Sequence, residues 1–162
     1  KRVYNQVKQD EEVLVMFSGC GPYVFTIAKN TEAKQITGIE KNPIAHNYAL
    51  KNKRINKTEN VHLINGDVRE VIPKLNKKFD RIIMPLPKQA DTFLEFAFQV
   101  SKKGTTIHLY DFEYETDFDE AEKKIAQKAG KDIGYDVLNV EKCGQYSPGK
   151  YRLCVDFRIK NV

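Results

Sequence analysis

Long apolar runs are missing from this chain of 162 residues: no stretch approaches the 18 or more that a membrane-spanning helix requires, and the N-terminus lacks the apolar core of a signal peptide. No membrane partner is expected, and the setting to expect is cytoplasmic. Cysteine is scarce as well. Cys20, Cys143 and Cys154 are odd in number, far apart and form no Cys-x-x-Cys pair, which argues against a disulfide framework and a zinc knuckle and leaves buried or bystander thiols. No metal site is expected. Repeats, linkers and low-complexity tracts are absent too, and 41% hydrophobic with 30% charged residues excludes a disordered or fibrous chain. The length suits one domain spanning 1–162, expected to be monomeric, that buries roughly 70% of its unfolded surface. The chain opens on Lys1 rather than methionine, and residues 1–8 read as the tail of a helix begun upstream, so a fragment of a longer protein is expected.

Acidic residues are missing from one particular stretch. Between Lys41 and Lys57 there are five basic residues (Lys41, Lys51, Lys53, Arg54, Lys57) and no carboxylate, whereas 111–122 carries seven carboxylates and no basic residue. Such runs either form solvated helix faces or, for the basic one, a patch that meets nucleic-acid phosphate.

Apolar runs alternate with helical stretches along most of the chain, the pattern of βαβ units and a parallel sheet. The run 13–17 is continuously apolar, as a strand covered on both faces should be, and it ends in Ser18-Gly19-Cys20-Gly21-Pro22. Strands follow at 35–40, 61–64, 79–84 and 105–110, with helices to about 30, over 43–55, from 67 to about 75, over 89–100 and over 117–129. The end breaks the pattern. Strands 135–140 and 151–159 are joined by a polar stretch with Ser147-Pro148-Gly149 and no helix, so they should pair antiparallel. The expected fold is α/β and Rossmann-like: a seven-stranded sheet with five parallel strands and a C-terminal antiparallel hairpin, helices on both faces.

In such a sheet ligands bind beyond the carboxyl ends of the strands. Gly19 and Gly21 follow the first strand and let backbone amides approach a ligand. The third glycine of the dinucleotide pattern Gly-x-Gly-x-x-Gly is missing, since position 24 is valine, so a ligand without pyrophosphate is favoured. Glu40 closes the second strand, 19 residues after Gly21, where a carboxylate accepts from both ribose hydroxyls, faces solvent or caps the next helix. Asp67 closes the third, where it either accepts from an adenine amino group or serves as a helix N-cap. Three such signals on successive strand ends point to an adenosine pocket. At the fourth strand's end, Pro85 and Pro87 withhold amide donors and leave rigid carbonyl acceptors, unless they merely stop the strand. His108, alone in an apolar strand, reads as structural.

Residues 13–22 (VLVMFSGCGP), 38–43 (GIEKNP), 65–69 (NGDVR), 80–88 (DRIIMPLPK), 107–112 (IHLYDF), 145–151 (QYSPGKY) and 155–157 (VDF) together resemble the archaeal and eukaryotic tRNA (guanine-N1)-methyltransferases that act at position 37, a class I S-adenosylmethionine-dependent family. The resemblance implies that Phe17, Gly19 and Gly21 line the methionine end of S-adenosylmethionine, that Glu40, with Lys41 beside it, holds the ribose, and that Asp67 and Val68 hold the adenine. It implies that Pro85, Leu86 and Pro87 face the target guanine, with the tRNA anticodon stem-loop as partner and the family's general base and RNA-binding segments upstream of Lys1. Two departures stand out: Val15 replaces an acidic residue, and Pro85 replaces the asparagine that opens the family's target-facing loop. Aminocarboxypropyl transferases of the wybutosine pathway resemble the same pattern and also depart at that loop. A catalytically degenerate cofactor-binding module and a small-molecule methyltransferase remain as further alternatives.

Overall fold

The computed structural model describes residues 1–85 and 90–162. Strand β1 (Glu12–Met16) leads through the glycine turn into α1 (Pro22–Asn30), and β2 (Gln35–Glu40) into α2 (Pro43–Asn56). Then come β3 (Val61–Asn65), α3 (Val68–Val71), β4 (Phe79–Met84), α4 (Leu94–Gln99), β5 (Ser101–Tyr114), α5 (Asp119–Ala129), β6 (Gly134–Ser147) and β7 (Lys150–Asn161). The seven strands lie in the order β3-β2-β1-β4-β5-β7-β6. The first five are parallel, and β7 runs antiparallel between β5 and β6. The expected fold class is thus the observed one. Chain order reverses between β1 and β4, which makes the carboxyl ends of β1, β2 and β4 the natural crevice.

Both faces of the sheet are covered, which is why β1 is apolar from Val13 to Met16. Leu14 and Met16 face the α3, α4 and α5 side with Ile82, Met84, Ile107 and Leu109. Val13 and Val15 face the α1 and α2 side with Ile36, Ile83 and Cys154. Among the described residues no helix is long and apolar enough to cross a membrane.

Several expected boundaries are corrected. The helix placed over 89–100 is a 3-10 turn, Ala90–Phe93, followed by α4, because Phe93 leaves helical geometry at φ −105°, ψ 2°. The helix placed from 67 to 75 shortens to α3 and a 3-10 turn, Ile72–Lys74, where Pro73 has no amide to continue the ladder. Residues 1–8 hold one 3-10 turn, Tyr4–Gln6, rather than a helix tail. Strand β5 starts at Ser101 instead of 105 across a register shift. There the Thr105 hydroxyl donates to the Phe79 carbonyl (2.6 Å) and accepts from the Lys102 amide (2.9 Å).

A buried polar network fastens the segment before β1 to the sheet. Arg81 on β4 grips both carboxylate oxygens of Glu11 at 2.7 and 3.0 Å and donates to the Gln6 carbonyl at 2.6 Å. It also donates to His108 Nε2 at 2.8 Å. Arginine has no acceptor, so Nε2 must be the unprotonated nitrogen, and His108 donates from Nδ1 to Asp156 Oδ1 at 2.6 Å. The other Asp156 oxygen accepts from Arg2 and from Gln6 Nε2. His108, Cys154 and Asp156 present ligand atoms within 4.8 Å of one another, but guanidinium groups on either side make this a hydrogen-bond network rather than a cation site.

Burial pulls the His108 imidazole below its ordinary value of 6.5, against the opposing hydrogen bond to Asp156. The ring is therefore neutral when folded and takes up a proton on unfolding below that pH. Stability is expected to fall as pH drops from 7.5 to 5.5, by up to about 1.4 kcal/mol per pH unit below the unfolded value. Urea midpoints that stay level across this range would contradict the assignment.

Candidate functional site

The crevice is built by four strand ends. After β1 the chain turns sharply: Phe17 and Gly19 have φ of 58° and 57°, Gly21 has φ 94°, and the Gly21 amide donates to the Ser18 carbonyl at 2.9 Å. Gly21 must be glycine on two counts, since a Cβ there would also meet the Phe25 ring at 2.2 Å. Above Gly19 the space is open, with nothing within 4 Å of where a Cβ would stand. Gly38 of β2 leaves room for Ser18, whose buried hydroxyl has no hydrogen-bond partner among the described residues.

Glu40 ends β2 and is aimed by the backbone on either side. Its Oε2 accepts from the Gly19 amide and its Oε1 from the Asn42 amide, both at 2.7 Å. The helix-cap alternative falls away, because Asn42 Oδ1 itself caps α2 through the Ile44 and Ala45 amides. A carboxylate offers about four lone-pair positions, so Glu40 keeps acceptor capacity for two further donors.

Asp67 is differently placed. It is the N-cap of α3, as the helix-cap alternative requires, and both its oxygens are engaged. Oδ1 accepts from the Arg69 amide and Nε, each at 3.0 Å, while Oδ2 accepts from Arg69 Nη2 at 2.6 Å and Lys41 Nζ at 3.0 Å. Hydrogen bonds from Arg69 hold this carboxyl well below the usual carboxylate range despite some burial. A ligand amino group would have to displace Lys41 or Arg69, whose side chains are 71% and 57% exposed and so weakly held.

Phe17, Lys41, Asp67 and Val68 come together around one cleft of about 210 Å³, joined by Ile39, Gly66, Arg69 and Phe93. Phe93 was invisible to sequence reasoning. It stands edge-on to Phe17, with ring centroids 4.9 Å apart, but comes from a 3-10 turn beyond β4 with no local signal to mark it. Gly19, Gly21 and Glu40 border the neighbouring β1 turn rather than the cleft wall. Pro85 sits half-buried directly after β4, and Leu86 and Pro87 lie outside the described residues. Val15, where the resembled pattern has an acid, is fully buried in the apolar core on the α1 side and offers the crevice nothing. His108 has both ring nitrogens committed in the buried network and is not available to exchange a proton with a ligand.

The arrangement fits an adenosine-type ligand: a cleft walled by Phe17, Ile39, Val68 and Phe93, a carboxylate with spare acceptor capacity one strand away, and an open glycine turn beside it.

Residues 1–138 match the TRM5/TYW2 methyltransferase domain. The tRNA (guanine(37)-N(1))-methyltransferase Trm5b of Pyrococcus abyssi is 36% identical over 98% of this chain and 47% of its own length. The tRNA 4-demethylwyosine(37)-methyltransferase Taw21 of Saccharolobus solfataricus is 40% identical over 97% of this chain and 58% of its own length. The chain thus spans about half the length of these curated relatives. In three dimensions it superposes on Methanocaldococcus jannaschii TYW2 in complex with AdoMet with a TM-score of 0.89 at 30% identity, over 99% of this chain and 74% of that one. On the family match and these identities, this chain belongs to the TRM5/TYW2 methyltransferase family.

Proposed function

We propose that this chain is the S-adenosylmethionine-binding catalytic domain of a tRNA methyltransferase that places a methyl group on N1 of guanine 37. One observation carries the reading: a cleft lined by Phe17, Asp67 and Val68, beside a Glu40 aimed by the Gly19 amide, in a chain of this family. The relatives acting at position 37 of tRNA support the substrate class. S-adenosylmethionine supplies the electrophilic methyl carbon, its methyl–sulfur bond breaking as the bond to N1 forms, the thioether leaving and the N1 proton passing to a base, while the residues of this chain contribute positioning and electrostatics.

Each residue then has a defined task. Phe17 and Phe93, packed edge to face, form one wall of the cleft and exclude water from it, Phe17 toward the methionine end. Glu40 accepts from the ribose hydroxyls while the Gly19 and Asn42 amides hold it still. Asp67 takes the adenine amino group in exchange for one of its surface cations. The Gly19–Gly21 turn leaves room for the methionine end, and Pro85 shapes the floor at the end of β4 where the guanine must arrive.

Aminocarboxypropyl transfer from the same cofactor is the second reading, favoured by Pro85 at the position where the resembled methyltransferases have asparagine. Mass spectrometry of nucleosides from tRNA carrying guanine 37, and from tRNA carrying 4-demethylwyosine 37, each incubated with the protein and S-adenosylmethionine, separates the two. A methyl increment on guanine 37 is expected. An aminocarboxypropyl increment would replace the first reading with the second, and an increment on free nucleosides but not tRNA would overturn both.

A further inference from the structure

A second opening lies away from the crevice. A cavity of about 430 Å³ lies at the foot of the β5–β7–β6 sheet edge on the α1 side, lined by Arg2, Tyr4, Tyr23, Tyr110 and Arg152, with Glu141 as its acidic member. It adjoins the glycine turn, since Pro22 and Tyr23 form one wall. The Arg2 side chain reaches it from the buried network and keeps one Nη without a hydrogen-bond partner among the described residues.

Strand alternation extends this surface upward. On β5, Asp111 and Glu113 turn toward α5, where Lys124 binds both. Tyr110, Phe112 and Tyr114 therefore share the opposite face. There Tyr110 lies 5.9 Å from Tyr23, Phe112 lies 4.3 Å from Tyr146, and Lys150 Nζ sits 5.1 Å over the Tyr114 ring. Across the pairing with β7, Phe112 faces Arg152 and Tyr114 faces Lys150. The acidic stretch that looks hostile to nucleic acid thus splits: two of its carboxylates point away and are matched by a lysine. Because Met84 pairs with Leu109, this ladder rises five residues, roughly 17 Å, above the end of β4.

We propose that this aromatic and cationic face, from the cavity to Tyr114, binds an unpaired stretch of RNA, a reading that rests on the tRNA function above and assigns the surface that grips the loop. The chemistry selects single strands. Unstacked bases offer π-faces to tyrosine and phenylalanine rings while Lys150 and Arg152 meet phosphates, whereas a duplex buries those faces in its own stack. Tyr114 and Tyr146 are 52% and 56% exposed, a large aromatic area left in water at a strand end.

Fluorescence anisotropy with a labelled synthetic anticodon stem-loop, and with a blunt RNA duplex of equal length, tests this on the whole chain. Tyr114→Ala is expected to weaken stem-loop binding roughly five- to fiftyfold and Tyr114→Trp to retain it. Lys150→Ala should flatten the log-log salt slope by about 0.7. S-adenosylmethionine affinity by calorimetry should be the same in every variant. Equal binding by Tyr114→Ala and the unaltered chain, equal affinity for duplex and loop, or no binding by the unaltered chain each overturns the assignment, while leaving the methyltransferase reading to the nucleoside analysis. Conversely, loop binding sensitive to Tyr114 without any nucleoside modification would uphold the surface and defeat the proposed reaction.

Discussion

Truncating Asp156 to alanine is expected to lower the unfolding free energy by about 3–5 kcal/mol, the scale for removing one partner from a buried ion pair. The carboxylate is 1% exposed and receives hydrogen bonds from His108, Arg2 and Gln6. Burial alone would raise its pKa, but the bonds from His108 and Arg2 outweigh burial and hold it well below the usual carboxylate range. Folded, the network balances two guanidinium groups, Arg2 and Arg81, against two carboxylates, Glu11 and Asp156, around a neutral imidazole. Without Asp156 the Arg2 charge loses its counterion and the His108 proton its acceptor. Asp156→Asn should fall between, since the amide oxygen can serve His108 but not neutralise Arg2. The exposed pairs of Lys123 with Asp119 and Glu120 offer the contrast: solvent screens them, and Lys123→Ala should leave the urea midpoint unchanged. A loss under about 1 kcal/mol for Asp156→Ala, by urea unfolding followed by circular dichroism, would show that the network adds little beyond what packing supplies.

That network also marks where reading the sequence stops. The parallel core and the terminal hairpin were legible because residues 13–16 are apolar on both faces and because residues 135–159 contain two strand patterns without a helix between them. The residues proposed for the cofactor site could be picked out because glycines, Glu40 and Asp67 fall at strand ends, a position defined by local pattern. His108 was legible only as a structural residue: its partners Arg81 and Asp156 stand 27 and 48 positions away, and no local rule couples them. Asp156 stood inside a family-like Val-Asp-Phe motif with no hint that its task is to anchor the chain's opening segment. Phe93 escaped for a similar reason, contributing to the cleft across the sheet rather than along the chain. Asp67 shows a different limit. Its position allowed either an adenine contact or a helix cap, and the structure assigns the cap while leaving the adenine contact dependent on two displaceable surface cations. The helix ends were misplaced where Pro73 and the turn before α4 interrupt an otherwise helical pattern, since propensity summed over a window does not register a single missing amide.

Because Glu40, alone among the described carboxylates of the crevice, keeps acceptors to spare, Glu40→Ala is expected to weaken S-adenosylmethionine binding by about 3 kcal/mol, roughly 150-fold, the loss of two charge-assisted hydrogen bonds at the low end of their range. Two further effects act in the same direction. The Gly19 and Asn42 amides lose their acceptor, so the glycine turn loses the tether that holds it against β2. Glu40→Gln separates the contributions: it keeps one acceptor for one of the two amides but presents an NH2 group to the other, so the turn should loosen while part of the ribose contact survives, and the affinity should lie between. Asp67→Asn makes the sharper comparison. Its carboxylate already serves Arg69 and Lys41, so a neutral amide gives up surface ion pairs more than ligand contacts, and its cost in affinity should be several times smaller than that of Glu40→Ala. Titration calorimetry on the three variants, with thermal melts to verify folding, ranks them. If Asp67→Asn proves as damaging as Glu40→Ala in folded protein, the ligand draws on Asp67 as heavily as on Glu40 and the ranking fails; if Glu40→Ala binds as the unaltered chain does, the ribose assignment at Glu40 fails.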